Sequence, residues 1–83
     1  MIKPYRTEYS RMPQSINNHT MKYFTWIGIT YLIDKETDSN PCSYRLYHVG
    51  SGMLLDYFGE NMTWKEVLIF VEGWLTATYG KES

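Results

Sequence analysis

The 83-residue sequence lacks most of the features that mark a secreted, membrane-bound or metal-dependent protein. Its single cysteine, Cys42, excludes an intrachain disulfide. No apolar run approaches the roughly eighteen residues of a membrane-spanning helix, and the N-terminus has no apolar segment of the signal-peptide type. We therefore expect a cytoplasmic protein that has no contact with a membrane.

The sequence also lacks a recognisable set of catalytic or metal-binding residues. Cys42 follows Asn40-Pro41 in a polar loop, where nothing marks it as a nucleophile for His19 or His48 to activate. Two separated histidines and one cysteine do not have zinc-ligand spacing. The Gly50-Ser51-Gly52 stretch lacks the lysine and helix of a phosphate-binding loop. We predict no enzymatic activity and no cofactor or metal.

Charge of either sign is scarce, and its distribution is uneven. The net charge of −1 is not the basic excess that is typical of nucleic-acid-binding domains. Residues 1–22 nevertheless carry a net charge of +3 and residues 23–83 a net charge of −4. A basic segment therefore precedes an acidic body.

Aromatic residues, by contrast, are abundant. They make up 17% of the chain, with eight Tyr, three Trp and three Phe. Each can bury roughly 150–250 Å² on folding, whereas disordered chains contain few of them. The composition predicts one small folded domain.

The last third of the sequence predicts an α-helix that ends near Gly80, a glycine suited to a left-handed C-terminal cap. Thr63 and Glu66 have the spacing of an N-terminal capping box. Large apolar residues then recur at helical spacing. This predicted core stripe comprises Trp64, Val67, Leu68, Val71, Trp74 and Leu75.

Three segments before this helix are typical of β-strands. They span residues 22–34, 43–49 and 53–58, and the glycines of residues 50–52 predict a hairpin between the last two. Short connections favour an α+β fold, a three-stranded antiparallel β-meander with the helix packed on one face, in the order β-β-β-α. Residues 22–83 would form this domain.

Residues 1–21 are polar, contain Pro4 and Pro13, and predict an N-terminal arm that is irregular or forms a short helix. The strand predicted over residues 22–34 has apolar side chains on both faces. One helix covers only one face of a small sheet. The arm, a second copy of the chain in a homodimer, or another protein would have to cover the other face.

These considerations favour a non-enzymatic module that binds another protein or protein complex. Tyr, Trp and Met are enriched in interface cores, and Ile69 and Phe70 lie at the margin of the helix stripe or outside it. Sheet residues from both faces complete the predicted surface, because the sequence does not say which face is exposed. The predicted partner-binding residues are Tyr23, Thr25, Trp26, Tyr31, Tyr44, Arg45, Tyr47, Ile69 and Phe70.

Nucleic-acid binding is the alternative interpretation. The basic arm and an aromatic sheet face could contact a phosphate backbone and unstacked bases, although the acidic body would oppose such binding. The residues that would carry it are Lys3, Arg6, Arg11, Lys22 and Arg45.

In size, charge and β-rich layout, the chain resembles the small accessory proteins of phages and mobile elements, including anti-CRISPR proteins. The resemblance covers the general build and identifies no motif. It implies a protein that inhibits a host defence complex by occupying one of its surfaces.

Overall fold

A computed structural model of the chain describes residues 2–11, 18–38 and 40–80. In this part of the chain, five strands form one antiparallel sheet in which the spatial order follows the chain order, and a helix comes after the last strand. The elements are β1 (Arg6–Arg11), β2 (Asn18–Trp26), β3 (Ile29–Glu36), β4 (Ser43–His48), β5 (Met53–Gly59) and α1 (Trp64–Tyr79).

The predicted three-stranded meander is wrong, although the α+β class holds. The segment predicted as one long strand, residues 22–34, is a hairpin of β2 and β3. The chain reverses at Ile27 and Gly28, whose φ angles are 49° and 72°. Positive φ at both central residues defines a type I′ turn. Isoleucine favours strands and rarely adopts positive φ, so Ile27 predicts a continuous strand here and not a turn.

The second additional strand comes from the segment predicted as an arm. β1 pairs with β2 over its whole length, from Arg6 opposite Tyr23 to Arg11 opposite Asn18. β1 is an edge strand whose residues are mostly polar or charged, and charged side chains are a common protection of a sheet edge. Because β1 contains few apolar residues, no apolar periodicity in the sequence predicted it as a strand.

The helix begins as the sequence predicts. The Thr63 hydroxyl accepts a hydrogen bond from the Glu66 amide at 3.2 Å, and the Thr63 amide donates to the Glu66 carboxylate at 2.9 Å. Hydrogen bonds to the Glu66 carboxylate, from the Thr63 amide first and from the Thr63 side chain second, lower the pKa of Glu66. At the other end, the Gly80 amide donates to the Thr76 carbonyl, and Gly80 has the expected positive φ, although its ψ of 173° is not that of a left-handed helix.

The core lies between α1 and one face of the sheet. The predicted core residues Val67, Val71 and Leu75 are fully buried there, and Trp64 and Trp74 are half-buried at its margin. Ile2 also contributes, so the N-terminal segment is anchored in the same core. The buried sheet residues are Thr20, Phe24, Trp26, Tyr31, Ile33, Tyr44 and Leu46.

The helix runs from the β3–β4 end of the sheet towards the β2–β3 turn. Its first residue, Trp64, contacts Tyr44 edge to face. Its last residue, Tyr79, lies near Tyr31. Burial raises the pKa of Tyr31, and electrostatic repulsion from Tyr79 raises it further. One face of the sheet is therefore occupied along this diagonal.

Candidate functional site

The face of the sheet opposite α1, here called the open face, carries no covering element in the described residues. Successive partners in the strand register place one residue from each strand in a line across it. We call this line the aromatic row because two tyrosines lie at its centre. It comprises Arg6, Tyr23, Leu32, Tyr47 and Leu54.

A depression of about 270 Å³ lies beside the aromatic row. Tyr23, Leu32 and Tyr47 provide its apolar wall, and it continues onto the β4–β5 hairpin. Asp34 adds a charged residue to its lining, whereas the His48 ring lies beside Tyr31, on the covered face of the sheet. A partner could therefore place a small apolar group with a polar end in the depression. Its lining residues are Tyr23, Leu32, Asp34, Tyr47, His48, Val49 and Gly52.

The charged side chains on the open face pair with one another. Arg6 contacts Glu8, the His19 ring lies 2.9 Å from the Asp34 carboxylate, and Arg45 lies 3.7 Å from Glu36. The face therefore alternates positive and negative groups over short distances, an arrangement that favours specific polar contacts over long-range attraction of a polyanion.

Two arginines on the open face also lie over tyrosine rings. The Arg6 guanidinium carbon is 5.0 Å from the centroid of Tyr23, and that of Arg45 is 5.1 Å from the centroid of Tyr57. Both distances are within the range of cation–π attraction. Each of the two arginines therefore meets a tyrosine ring on the surface that a partner would contact.

The structure divides the predicted partner-binding residues among three environments. Tyr23, Thr25, Arg45 and Tyr47 share the open face. Trp26, Tyr31 and Tyr44 point to the opposite face and are buried beneath α1 or beside it. The other two predicted residues, Ile69 and Phe70, are exposed on the helix.

The helix residues do not extend the open face. Phe70 packs against Phe58 of β5 with ring centroids 4.5 Å apart, and Phe58 pairs with Tyr44, on the covered face of the sheet. Ile69 and Phe70 thus form a separate surface on the other side of the sheet from Tyr47.

The cations of the alternative interpretation are dispersed. Lys22 lies on the covered face, where its ammonium is 4.9 Å from the Trp64 ring centroid and 3.0 Å from the Thr7 hydroxyl. Arg6 and Arg45 lie on the open face and are paired with carboxylates. Lys3 is exposed before β1, and the side chain of Arg11 lies outside the described part. The four described cations do not form one basic patch.

The histidines and the cysteine have local hydrogen-bonding partners. The His48 ring nitrogen Nδ1 lies 2.8 Å from the Ser51 hydroxyl and accepts from the Ser51 amide at 3.0 Å, which closes the β4–β5 hairpin. The half-buried Cys42 thiol lies 3.8 Å from the Thr37 carbonyl oxygen. Over residues 2–11, 18–38 and 40–80, no three His, Cys, Asp or Glu side chains are grouped to hold a metal ion.

A second exposed apolar feature lies where the β2–β3 turn and the β4–β5 hairpin meet. The two connections are neighbours, since the Val49 amide donates to the Thr30 carbonyl at 3.1 Å. We call this feature the apolar end. Its exposed side chains are Ile27, Ile29, Val49 and Met53.

The sequence patterns did not predict a binding role for Leu32, Leu54 and Tyr57 on the open face. They did not predict the apolar end either. Leu32 and Leu54 enter the aromatic row only through the strand register. A β-bulge in β5, beside Leu46 and Tyr47, shifts the alternation of its side chains. One signal was available: residues 23–33 and 46–55 contain no Asp, Glu, Lys or Arg.

Comparisons with protein-family models, with curated proteins and with solved structures find no match to this chain. Within the described ranges, no helix combines the length and the apolarity needed to cross a lipid bilayer.

Proposed function

We propose that the chain is a non-enzymatic protein-binding module and that the open face is its contact surface. The observation that carries this proposal is the aromatic row, in which Tyr23, Leu32 and Tyr47 stand side by side on a face that α1 does not cover. Tyrosine and arginine are the residue types that most often dominate the energy of protein interfaces.

The surroundings of the row suit a protein surface. An interface of this kind has an apolar centre and a polar, solvent-accessible rim. Here the rim consists of the pairs Arg6–Glu8 and Arg45–Glu36 together with His19–Asp34. Because these groups are already paired, a partner can cover the row without leaving a lone charge buried.

The distribution of cations weighs against the nucleic-acid alternative. Binding to a phosphate backbone draws its affinity from several unpaired Lys or Arg side chains on one surface. On the open face, Arg6 and Arg45 are each accompanied by a glutamate, and Lys22 lies on the other face. Protein binding therefore fits the arrangement better.

The resemblance to accessory proteins of mobile elements suggests one class of partner for this surface. An inhibitor of a host defence complex needs no chemistry of its own, because covering a functional surface of the larger assembly is enough. Under this proposal, the open face would be the part of the chain that covers it.

The test is site-specific photo-crosslinking from the open face in cells that express the chain. A benzoylphenylalanine at position 47 should form a cross-link to a defined protein, and the same group at position 69 on the helix is the matched control. Purified wild-type chain and a Tyr47→Ala variant should then differ by at least tenfold in capture of that protein, with equal circular dichroism spectra.

Three results would contradict the proposal. Cross-linking at position 69 but not at position 47 would assign binding to the helix. Cross-linking of position 47 to a second copy of the chain, together with a dimer mass by light scattering, would make the open face a homodimer interface. Salt-sensitive binding of the purified chain to a mixed-sequence oligonucleotide would favour the nucleic-acid alternative.

A further inference from the structure

The β2–β3 turn contains a residue that the turn geometry disfavours. Type I′ turns require positive φ at both central positions, and Asn, Asp and Gly adopt it readily. Here the first position is Ile27, at φ 49°. A β-branched residue in this conformation is an outlier, because its side chain crowds the backbone.

Burial of the Ile27 side chain within the chain does not explain why isoleucine occupies this turn position. The Ile27 side chain is 48% exposed at the tip of the hairpin, so its own core gains little from it. Backbone strain of this kind is concentrated at functional sites, where another requirement maintains it. A half-exposed apolar side chain at the tip of a hairpin would meet such a requirement if it bound in a pocket of another molecule.

The surroundings of Ile27 extend its apolar character. Ile29, Val49 and Met53 are also exposed, Met53 to 60%. The segments that form this end, residues 23–33 and 46–55, contain no Asp, Glu, Lys or Arg. Val49 also lines the depression beside the aromatic row and so joins the apolar end to the open face, whereas the strand register places Ile29 and Met53 on the side of the sheet that α1 covers.

We propose that the apolar end is an anchor, in which Ile27 inserts into an apolar pocket of the protein that the open face contacts. This inference depends on the proposed function, because one partner is taken to cover both features. Ile27 would fill the pocket, Val49 and Met53 would cover its edge, and the aromatic row would provide the flatter part of the interface.

A protein pocket fits the apolar end better than a lipid surface or a second copy does. Surface elements that bind membranes usually combine apolar side chains with Lys or Arg, and residues 23–33 and 46–55 contain neither. A second copy would offer the depression on its open face, which the charged residue Asp34 lines and where Asp34 lies within hydrogen-bond distance of His19. Burying an isoleucine there would desolvate polar groups without replacing their hydrogen bonds.

The test compares Ile27→Asn with Ile27→Val in the full chain. Asparagine relieves the positive-φ strain and removes the apolar side chain, whereas valine keeps both the β-branch and the apolar character. We expect Ile27→Asn to raise Tm by about 4–8 °C and Ile27→Val to leave Tm near the wild-type value. A fall in Tm for Ile27→Asn would overturn the inference, because Ile27 would then serve the fold.

The binding readout uses benzoylphenylalanine at position 49, in the β4–β5 connection that adjoins the β2–β3 hairpin at Thr30, in cells that express the chain. The protein cross-linked there should be the one that position 47 reaches. We expect at least a tenfold loss of this cross-link in Ile27→Asn and its retention in Ile27→Val. Retention in Ile27→Asn, the absence of a cross-link from position 49, or a cross-link to lipid or to a second copy would each overturn the inference.

The same experiment separates the two proposals. If Tyr47→Ala loses capture of the partner and Ile27→Asn does not, the open face is the binding surface and the anchor is wrong. If Ile27→Asn loses capture and Tyr47→Ala does not, the apolar end binds without the open face, and both the proposed function and the single-partner form of this inference are wrong. Loss in both variants, with the higher Tm of Ile27→Asn, supports both.

Discussion

The Tyr44 hydroxyl donates a hydrogen bond to the main-chain carbonyl of Met62, with 3.0 Å between the oxygens. Tyr44 is fully buried in β4, and Met62 immediately precedes the helix cap. The Tyr44 ring stacks on Phe58 and meets the edge of Trp64. This one side chain therefore ties the sheet to the start of α1 through both packing and a polar contact.

Tyr44→Phe should destabilise the fold by about 1 kcal/mol, because it removes this hydrogen bond and keeps the ring. Urea unfolding followed by tryptophan fluorescence measures the change in the free energy of unfolding. Tyr47→Phe on the open face is the matched control, with an expected change within about 0.5 kcal/mol. Equal effects at the two positions would show that the Tyr44 hydroxyl has no particular role.

Thr63→Ala should cost about 1 kcal/mol, because the Glu66 amide would lose the side-chain acceptor at the helix N-terminus. Thr63→Ser keeps the hydroxyl and should be close to wild type. Thermal unfolding of the three proteins tests this order. An alanine variant as stable as the serine variant would mean that water replaces the cap without loss.

The capping box should make stability depend on pH in the acid range. Hydrogen bonds from Thr63 hold the pKa of Glu66 below its usual value, so the carboxylate stabilises the folded state above the unfolded-state pKa, near 4.3 for Glu. This contribution is lost as pH falls through the lower folded-state pKa. The stability difference between wild type and Glu66→Gln should therefore shrink between pH 6 and pH 2, as measured by urea unfolding. A constant difference would contradict this assignment.

Leu75→Ala should cost about 2–5 kcal/mol, because Leu75 is fully buried between α1 and the sheet. Ile69→Ala removes a similar side chain from the exposed side of the same helix and should cost less than about 1 kcal/mol. Chemical unfolding of both variants gives the comparison. Similar losses would place Ile69 in an interface that forms in solution, which the dependence of unfolding on protein concentration would reveal.

Gly73→Ala should stabilise the chain by about 1 kcal/mol. Gly73 lies in the middle of α1 and is exposed, and a Cβ built there meets nothing within 4 Å. Alanine reduces the backbone entropy lost on helix formation. A rise in Tm with an unchanged oligomeric state confirms the effect, whereas a fall would indicate that another molecule approaches the helix closely at Gly73.

Local signals identified the parts of the fold that depend on near neighbours along the chain. The Thr63 and Glu66 pair and the apolar stripe define α1, because helix contacts join residues three or four positions apart. The glycines of residues 50–52 marked the β4–β5 hairpin for the same reason. These elements agree closely with the structure.

Long-range strand pairing determined the parts of the fold that local signals did not predict. Ile27 looked like part of a strand, and the pairing of β2 with β3 overrides that preference by placing Trp26 opposite Ile29. β1 is recognised as a strand only by its pairing with β2, because its own residues are mostly polar or charged. The aromatic row is likewise a property of the register: Tyr23, Leu32 and Tyr47 are distant in sequence, and interstrand hydrogen bonds bring them onto one face.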